Sequence, residues 1–193
     1  MKFRIVEIEP DTPAWHRWRQ DGVGGSDASV IMGWNRYKTV EQLVAEKLGL
    51  FEVGASGPLA QRGKALESLA RQEYQKVFNV RLSIPTCVQH NEIEWLRASL
   101  DGANFIEDYA VEIKCGASNY RSHLYTRSTV PWVYDQLQHI LAVTGFEHSY
   151  LWCWQPGHKG IRRKIRRNEA YIRKLINAER RFWKEVELQK KRC

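Results

Sequence analysis

The chain reads as a mixed α/β protein in which a central sheet is flanked by helices, and three observations predict this class. Its periodic segments run helices first, then strands, a helix, two strands and a long final helix. Segments near 94–100, 109–114 and 148–155 alternate with the period of two that belongs to strands, whereas 59–78, 131–144 and 169–190 repeat apolar residues at helical spacing. At 193 residues and 43% hydrophobic, with no repeat, low-complexity tract or long linker, the chain has material for one compact core, so 1–193 is expected to be a single domain.

The elements follow in order. Thr12-Pro13 is a helix start, a capping hydroxyl followed by proline at the first helical position, and Trp15, Trp18 and Arg19 ride on that short helix. The glycines of Gly22-Val23-Gly24-Gly25-Ser26 permit an unusual backbone, and Ser26 stands where it could cap a second helix through Ser29, Val30 and Ile31. A glycine turn ending at a helix start also offers free N–H groups to an anion. A capped helix over 39–48 closes at Gly49, and a Gly/Ser/Pro-rich loop over 52–58 separates it from the helix 59–78, where Leu66, Leu69, Ala70 and Val77 share a face. Strands are expected near 80–88, 94–100 and 109–114, then a helix over 131–144, strands near 148–155 and 160–166 joined through Gly157 and Gly160, and a final helix over 169–190. That last helix carries Tyr171, Ile172, Leu175, Ile176, Phe182 and Val186 for packing on the domain or on a neighbouring subunit. Tyr150, Trp152 and Trp154 alternate on one strand and read as sheet core ahead of a platform for bases.

The chemistry gathers in two short runs. Ala98-Ser99-Leu100-Asp101-Gly102 ends one apolar strand, and Glu112 of Val111-Glu112-Ile113-Lys114-Cys115 follows Asp101 by eleven residues. Period-two alternation turns Val111 and Ile113 one way and Glu112 and Lys114 the other. A return of the chain through 102–108 sets Asp101 antiparallel beside Glu112, so that two carboxylates flank one ammonium. Two hard oxygen ligands suit Mg²⁺, with Mn²⁺ as a substitute, because such ions take one or two protein carboxylates and fill the rest with water and substrate phosphate. An ion so held lowers the pKa of bound water and neutralises charge at a phosphoryl centre, while Lys114 serves the attacking water. On a plain surface hairpin the same residues would be an ordinary ion pair. Glu67 leaves two readings open: an i,i+4 pair with Arg71 on a solvated edge, or a third carboxylate leaning toward the metal with Gly63 leaving room beside it.

The runs Gly22-Val-Gly-Gly-Ser-Asp27, Arg62-Gly-Lys-Ala-Leu-Glu67, Ala98-Ser-Leu-Asp-Gly102, Val111-Glu-Ile-Lys114 and Tyr134-Asp-Gln-Leu-Gln138 together resemble the phage lambda exonuclease / YqaJ-type viral recombinase family of the PD-(D/E)XK nuclease superfamily. The motifs stand in the family's order and span roughly 15–145, most of the chain. The resemblance implies a restriction-endonuclease-like core. It implies Asp101, Glu112 and the backbone carbonyl of Ile113 as metal ligands, Glu67 completing the acidic cluster, and Lys114 at the nucleophilic water. Arg19, Ser26 and Ser99 would hold the 5′-phosphate of a DNA end. Gln138, which flanks the apolar stripe of Val133, Leu137, Ile140, Leu141 and Thr144, would stand near the site, with Gln136 on the opposite flank ranked below it. The family usually has proline where this chain has Leu100, a change that removes no ligand.

Charge and cysteine usage agree with this reading. Net charge is +8, and residues 158–193 hold fourteen Lys/Arg against four Asp/Glu, densest at Lys159, Arg162, Arg163, Lys164, Arg166 and Arg167. Such a segment fits sequence-independent contact with a phosphate backbone. Cys87, Cys115, Cys153 and Cys193 form no C-x-x-C pair, which argues for a reducing compartment and against zinc or an iron–sulfur cluster. The six histidines show no metal-ligand spacing, and His139 reads as a packed, hydrogen-bonded residue. No apolar run approaches 18 residues and no leader-like segment opens the chain, so no membrane association and a cytoplasmic location are expected; the resemblance implies a bacterial host cell and a phage or prophage gene.

The expected activity is a Mg²⁺-dependent exonuclease that degrades one strand of double-stranded DNA from a 5′-phosphorylated end. It would release mononucleotides and leave a 3′ single strand. Polarity, end requirement, a homotrimer encircling DNA and a single-strand annealing recombinase partner are all implied by the resemblance. A structure-specific or restriction-type endonuclease of the same superfamily, and a non-catalytic DNA-end-binding module, are the alternatives.

Overall fold

The computed structural model of the chain describes residues 2–50, 58–126 and 129–192. In chain order the elements are β1 (Phe3–Val6), α1 (Pro13–Gln20), α2 (Gly25–Ile31), α3 (Val40–Lys47), α4 (Pro58–Phe78), β2 (Thr86–His90), β3 (Arg97–Leu100), β4 (Gly102–Asn104), β5 (Tyr109–Cys115), α5 (Ala117–Tyr125), α6 (Pro131–Thr144), β6 (His148–Trp154), β7 (Ile161–Arg166) and α7 (Glu169–Lys190). The mixed α/β class is as expected, but the sheet is divided. One part is the antiparallel β1-β2-β3; the other is β4-β5-β6-β7, in which β5 and β6 run parallel and the outer pairs antiparallel. Asp101 is the single residue between β3 and β4, so the chain passes from one sheet to the other at that carboxylate.

Local signals explain the framework. Thr12 Oγ1 accepts from the Trp15 N–H and Pro13 opens α1. α2 starts two residues earlier than expected: Gly24 is its cap, with its N–H held by the Asp27 carboxylate at 2.9 Å, and Ser26 is the second helical residue instead of the cap. Gly22 is required by space, since a Cβ there would lie 2.6 Å from the Trp95 carbonyl oxygen where Val23 bridges to Leu96 beside β3. In α4 the inward stripe is Leu66, Ala70, Tyr74 and Phe78, so Leu69 and Val77, expected inside, are exposed.

Three elements escaped the sequence reading. β1 is a four-residue edge strand, too short to show a period, and β4 takes up part of the expected return loop. α5 has little apolar patterning and is anchored by Tyr120 and His123 after a left-handed Gly116 (φ 96). The strand expected near 80–88 is Thr86–His90 instead, because Asn79 (φ 50) ends α4 and an irregular run up to Pro85 follows. The loop over 52–57 and Cys193 lie outside the described residues.

α6 ties the two sheets. Its Ile140, Leu141 and Val143 pack with Phe3, Val88, Leu96, Ala98 and Leu100, whereas Val133 and Leu137 meet Leu151 and Cys153. α4 covers the opposite face of the second sheet, with Ala70 and Tyr74 against Tyr109, Val111, Ile113 and Trp152. Trp152 is sheet core, its indole N–H donating to the Ala70 carbonyl at 3.0 Å. α7 closes the domain through Ile172, Leu175, Phe182, Trp183 and Val186. Among the described residues no helix is long and apolar enough to cross a membrane.

Candidate active site

A cavity of ≈190 Å³ opens where α1, α2, α4, β3, β5 and α6 meet. Strand alternation decides what faces it. Ala98 and Leu100 of β3 point into the core, so Arg97 and Ser99, and Asp101 beyond them, point to the cavity. On β5, Val111 and Ile113 pack under α4, so Glu112 and Lys114 turn to the α6 side, as the sequence predicts. The β4–β5 pairing is antiparallel, Gly102 opposite Val111, and brings Asp101 beside them.

The acidic end is tightly bonded. Asp101 Oδ2 accepts the Ile113 N–H at 2.7 Å. Glu112 Oε1 accepts from Lys114 Nζ and from Gln136 Nε2, each at 2.7 Å, and Lys114 donates again to Gln136 Oε1 at 3.1 Å. Gln136 therefore bridges the carboxylate and the ammonium with the two ends of one amide. Glu112 Oε2 is buried with no hydrogen-bond partner. Burial, then the Glu112 and Glu67 carboxylates, push the Asp101 carboxyl well above its usual range. Glu67 is likewise raised by burial and by Glu112. Burial alone would lower the Lys114 ammonium, but Glu112, Asp101 and Glu67 outweigh it and hold the group above the ordinary lysine value. Burial, with Glu67 and Asp101, pushes the Cys115 thiol up to about 12, so it stays a neutral neighbour.

This donor set fits a hard divalent cation. An unpartnered buried carboxylate oxygen, crowded by two further carboxylates, is a local excess of negative charge that a cation relieves. Among the described residues no three His, Cys, Asp or Glu side chains close into a cage by themselves. An ion such as Mg²⁺ keeps several waters and needs only one or two protein carboxylates. Asp101, Glu112, Glu67 and Ile113 all line the cavity.

The other end is cationic and hydroxylic. Arg19 Nη2 donates to Ser26 Oγ at 2.7 Å, its guanidinium lies 4.7 Å from the Trp15 ring centre, and Trp15 Nε1 donates to Ser99 Oγ at 3.0 Å. Arg19, Ser26 and Ser99 thus share one cavity with the acidic cluster. Trp15, read from sequence only as a helix residue, proves to be the floor joining two of them.

Gln138 is a correction. It is fully buried, donating to the Arg166 carbonyl at 2.8 Å and accepting from the Asn168 N–H at 3.0 Å, and Gln136 takes the place in the cavity. α6 is buried on every side from Leu137 to Thr144, so the helical wheel offered two flanks and no way to tell which one faced β5. Arg71 donates to the Asp101 carbonyl at 2.9 Å, holding the joint between the sheets. Gly63 is not required by space, since a Cβ there would lie 3.8 Å from the Cys115 carbonyl oxygen, an ordinary contact. The basic run is partly internal: Arg163 donates to the His123 carbonyl and Arg167 to the Leu141 carbonyl, while Arg162, Lys164 and Arg166 form the exposed row of β7, with Arg162 stacked 3.6 Å from the Phe78 ring centre.

Comparison with known proteins agrees with the fold and shows the family. The structure superposes on the alkaline exonuclease LHK-Exo from Laribacter hongkongensis with a TM-score of 0.80 at 22% identity, covering 93% of this chain and 95% of the other, and that protein has also been solved in complex with dAMP. A phage-related exonuclease from Haemophilus somnus 129PT superposes with a TM-score of 0.64 at 12% identity over 87% of this chain and 96% of the other. In sequence the chain is 30% identical over 176 residues to the uncharacterized protein YqaJ of Bacillus subtilis, covering 89% of this chain and 55% of that protein, so it spans about half the length of that relative. The YqaJ-like viral recombinase domain matches residues 14–147, and the chain belongs to that family.

Proposed function

We propose that the chain is a divalent-metal-dependent deoxyribonuclease that degrades duplex DNA from 5′-phosphorylated ends in the 5′-to-3′ direction. It leaves 3′ single-stranded tails for strand annealing. The observation that carries this reading is the join of an acidic cluster, with one orphaned Glu112 oxygen, to the Arg19–Ser26–Ser99 group in a single cavity. Asp101 and Glu112, with Glu67 and the Ile113 carbonyl, are the residues that would hold Mg²⁺ or Mn²⁺. When bound, the ion supplies a water of lowered pKa and offsets charge on the scissile phosphate.

The side chains do the rest. Lys114 spends two of its three ammonium hydrogens on Glu112 and Gln136, which fixes its direction and leaves the third for the attacking water or a phosphate oxygen. Gln136 keeps Glu112 and Lys114 at fixed separation. Ser99 receives the Trp15 indole N–H on its oxygen and otherwise meets only the weak Cys87 Sγ contact at 3.8 Å, so its own hydrogen can turn toward an anion beside the Arg19 guanidinium. Recognition of a terminal phosphate at that end sets the scissile bond at the acidic end and fits release of one nucleotide at a time. The deoxynucleoside monophosphate bound by the Laribacter relative is of the same chemical class as such a product. A homotrimer around DNA, an annealing recombinase partner and a cytoplasmic setting belong to the same proposal.

The test is digestion of strand-labelled linear duplex with 5′-phosphate or 5′-hydroxyl ends, beside a closed circle, in Mg²⁺ and in EDTA. Loss of the phosphorylated strand from its 5′ end, with the circle intact and EDTA inhibiting, is expected. Cutting of the circle would assign an endonuclease, and no cutting with any divalent ion would leave a DNA-end-binding module.

A further inference from the structure

Behind the phosphate-facing side chains lies a buried ion pair that the proposed chemistry does not use. Asp27 on α2 and Lys47 at the end of α3 are 3% and 5% exposed, and Lys47 Nζ stands 2.6 Å from Asp27 Oδ2. The same ammonium donates to the carbonyl oxygen of Arg19 at 2.8 Å. Asp27 Oδ2 also accepts the Gly24 N–H at 2.9 Å, while its Oδ1 lies 3.7 Å from Arg19 Nη2. Arg19 is therefore held at both ends, its carbonyl by Lys47 and its guanidinium by Asp27, and that guanidinium reaches Ser26 at 2.7 Å. One buried pair ties together α1, the glycine turn, α2 and α3.

Stability alone is a poor reason for such a pair, because well-packed apolar residues of similar volume generally hold helices together as firmly. The charges do something apolar residues cannot. Long arginine side chains have many rotamers, and a carboxylate beneath the guanidinium selects one of them. The balance also favours an anion, since Arg19 lines the cavity and, with Lys47 behind it, outweighs Asp27 by one positive charge.

We propose that Asp27 and Lys47 are positioning residues for terminal-phosphate recognition: they fix Arg19 and Ser26 as a preformed clamp and do not themselves touch the phosphate. This rests on the end-dependent nuclease reading above. The test measures kcat/KM on duplexes with 5′-phosphate and 5′-hydroxyl ends and takes their ratio. Asp27→Asn combined with Lys47→Met removes both charges together and leaves no unpaired charge buried. The ratio is expected to fall about tenfold, through KM for the phosphorylated end, as the loss of one ordered charge-assisted contact predicts. In an Arg19→Ala background the same two substitutions should change the ratio by less than about twofold, because they act through Arg19. Lys47→Arg, which keeps the charge, should recover most of what Lys47→Met loses.

An unchanged ratio in the double variant, an equal fall for both ends, or full additivity with Arg19→Ala would overturn the proposal. If the double variant does not fold, Asp27→Glu, which keeps the charge and shifts it by one methylene, is scored by the same ratio and the same criteria. A wild-type chain indifferent to the 5′-phosphate would sink the end-dependent reading and this proposal with it. A discriminating wild type beside an equally discriminating variant would sink the positioning role alone.

Discussion

Glu112 and Glu179 are both buried carboxylates with one oxygen in a 2.7 Å bond and the other unpartnered. Their surroundings separate them. Glu179 on α7 faces His139 on α6, both fully buried; His139 Nε2 donates to the Arg97 carbonyl at 2.7 Å, and a proton is shared between Nδ1 and the carboxylate. Burial would lower His139, but Glu179 holds it above the usual histidine value, while burial raises Glu179 itself. Glu112 instead sits at the wall of a cavity with Asp101, Glu67, Lys114 and Gln136 around it. A buried charge pair is thus no site by itself. Convergence of further donors on an open cavity makes one.

The comparison can be broken at several points. Glu112→Gln should lower cleavage by on the order of 10³-fold while leaving DNA binding close to wild type by gel shift. Lys114→Ala should behave the same way, and a large loss of binding in either variant would remove its catalytic role. Glu179→Ala should instead cost about 3 kcal/mol of stability in urea melts, by stranding His139, with any residual folded enzyme still cleaving. A normal melting curve for that variant would erase the distinction between the two carboxylates.

Asp27 sharpens the contrast, because both of its oxygens face cations. Burial would raise its carboxyl, but Lys47 and Arg19 bring it down to about 2, with His139 and Glu179 more distant. A folded-state pKa below the unfolded value stabilises the protein at higher pH, so this contribution is present above about pH 4 and lost as pH falls toward 2, worth about 2 kcal/mol in all. Acid titration of stability should therefore be shallower in that window for the Asp27→Asn, Lys47→Met variant. The smallest expected effect is that of Gln136→Ala, on the order of tenfold in rate with little change in stability. Gln138→Ala should show the reverse, a lower melting temperature with the rate nearly kept.

The two regions also differ in how far the sequence revealed them. Asp101, Glu112 and Lys114 were legible because strand alternation and one antiparallel return fix their mutual placement within fifteen residues. α6 and α7 matched the expected 131–144 and 169–190 because proline and asparagine starts bracket strong apolar periods. The Asp27–Lys47 pair was invisible, since twenty residues and two helix boundaries separate its members. Gln136 was undervalued for a related reason: a helix buried on every side from Leu137 onward has no polar face there to announce which flank meets which strand. β1 and α5 were missed because neither has a hydrophobic period long enough to register.

Asp101 also has a mechanical meaning. It is the one-residue joint at which the chain leaves the three-stranded sheet for the four-stranded one, latched to β5 through Ile113 and braced from α4 by Arg71. Ser99 lies two positions earlier on the same side of the same strand. The Ser99 hydroxyl and the Asp101 carboxylate are therefore set one strand repeat apart on a single segment, so whatever fixes the strand fixes both at once.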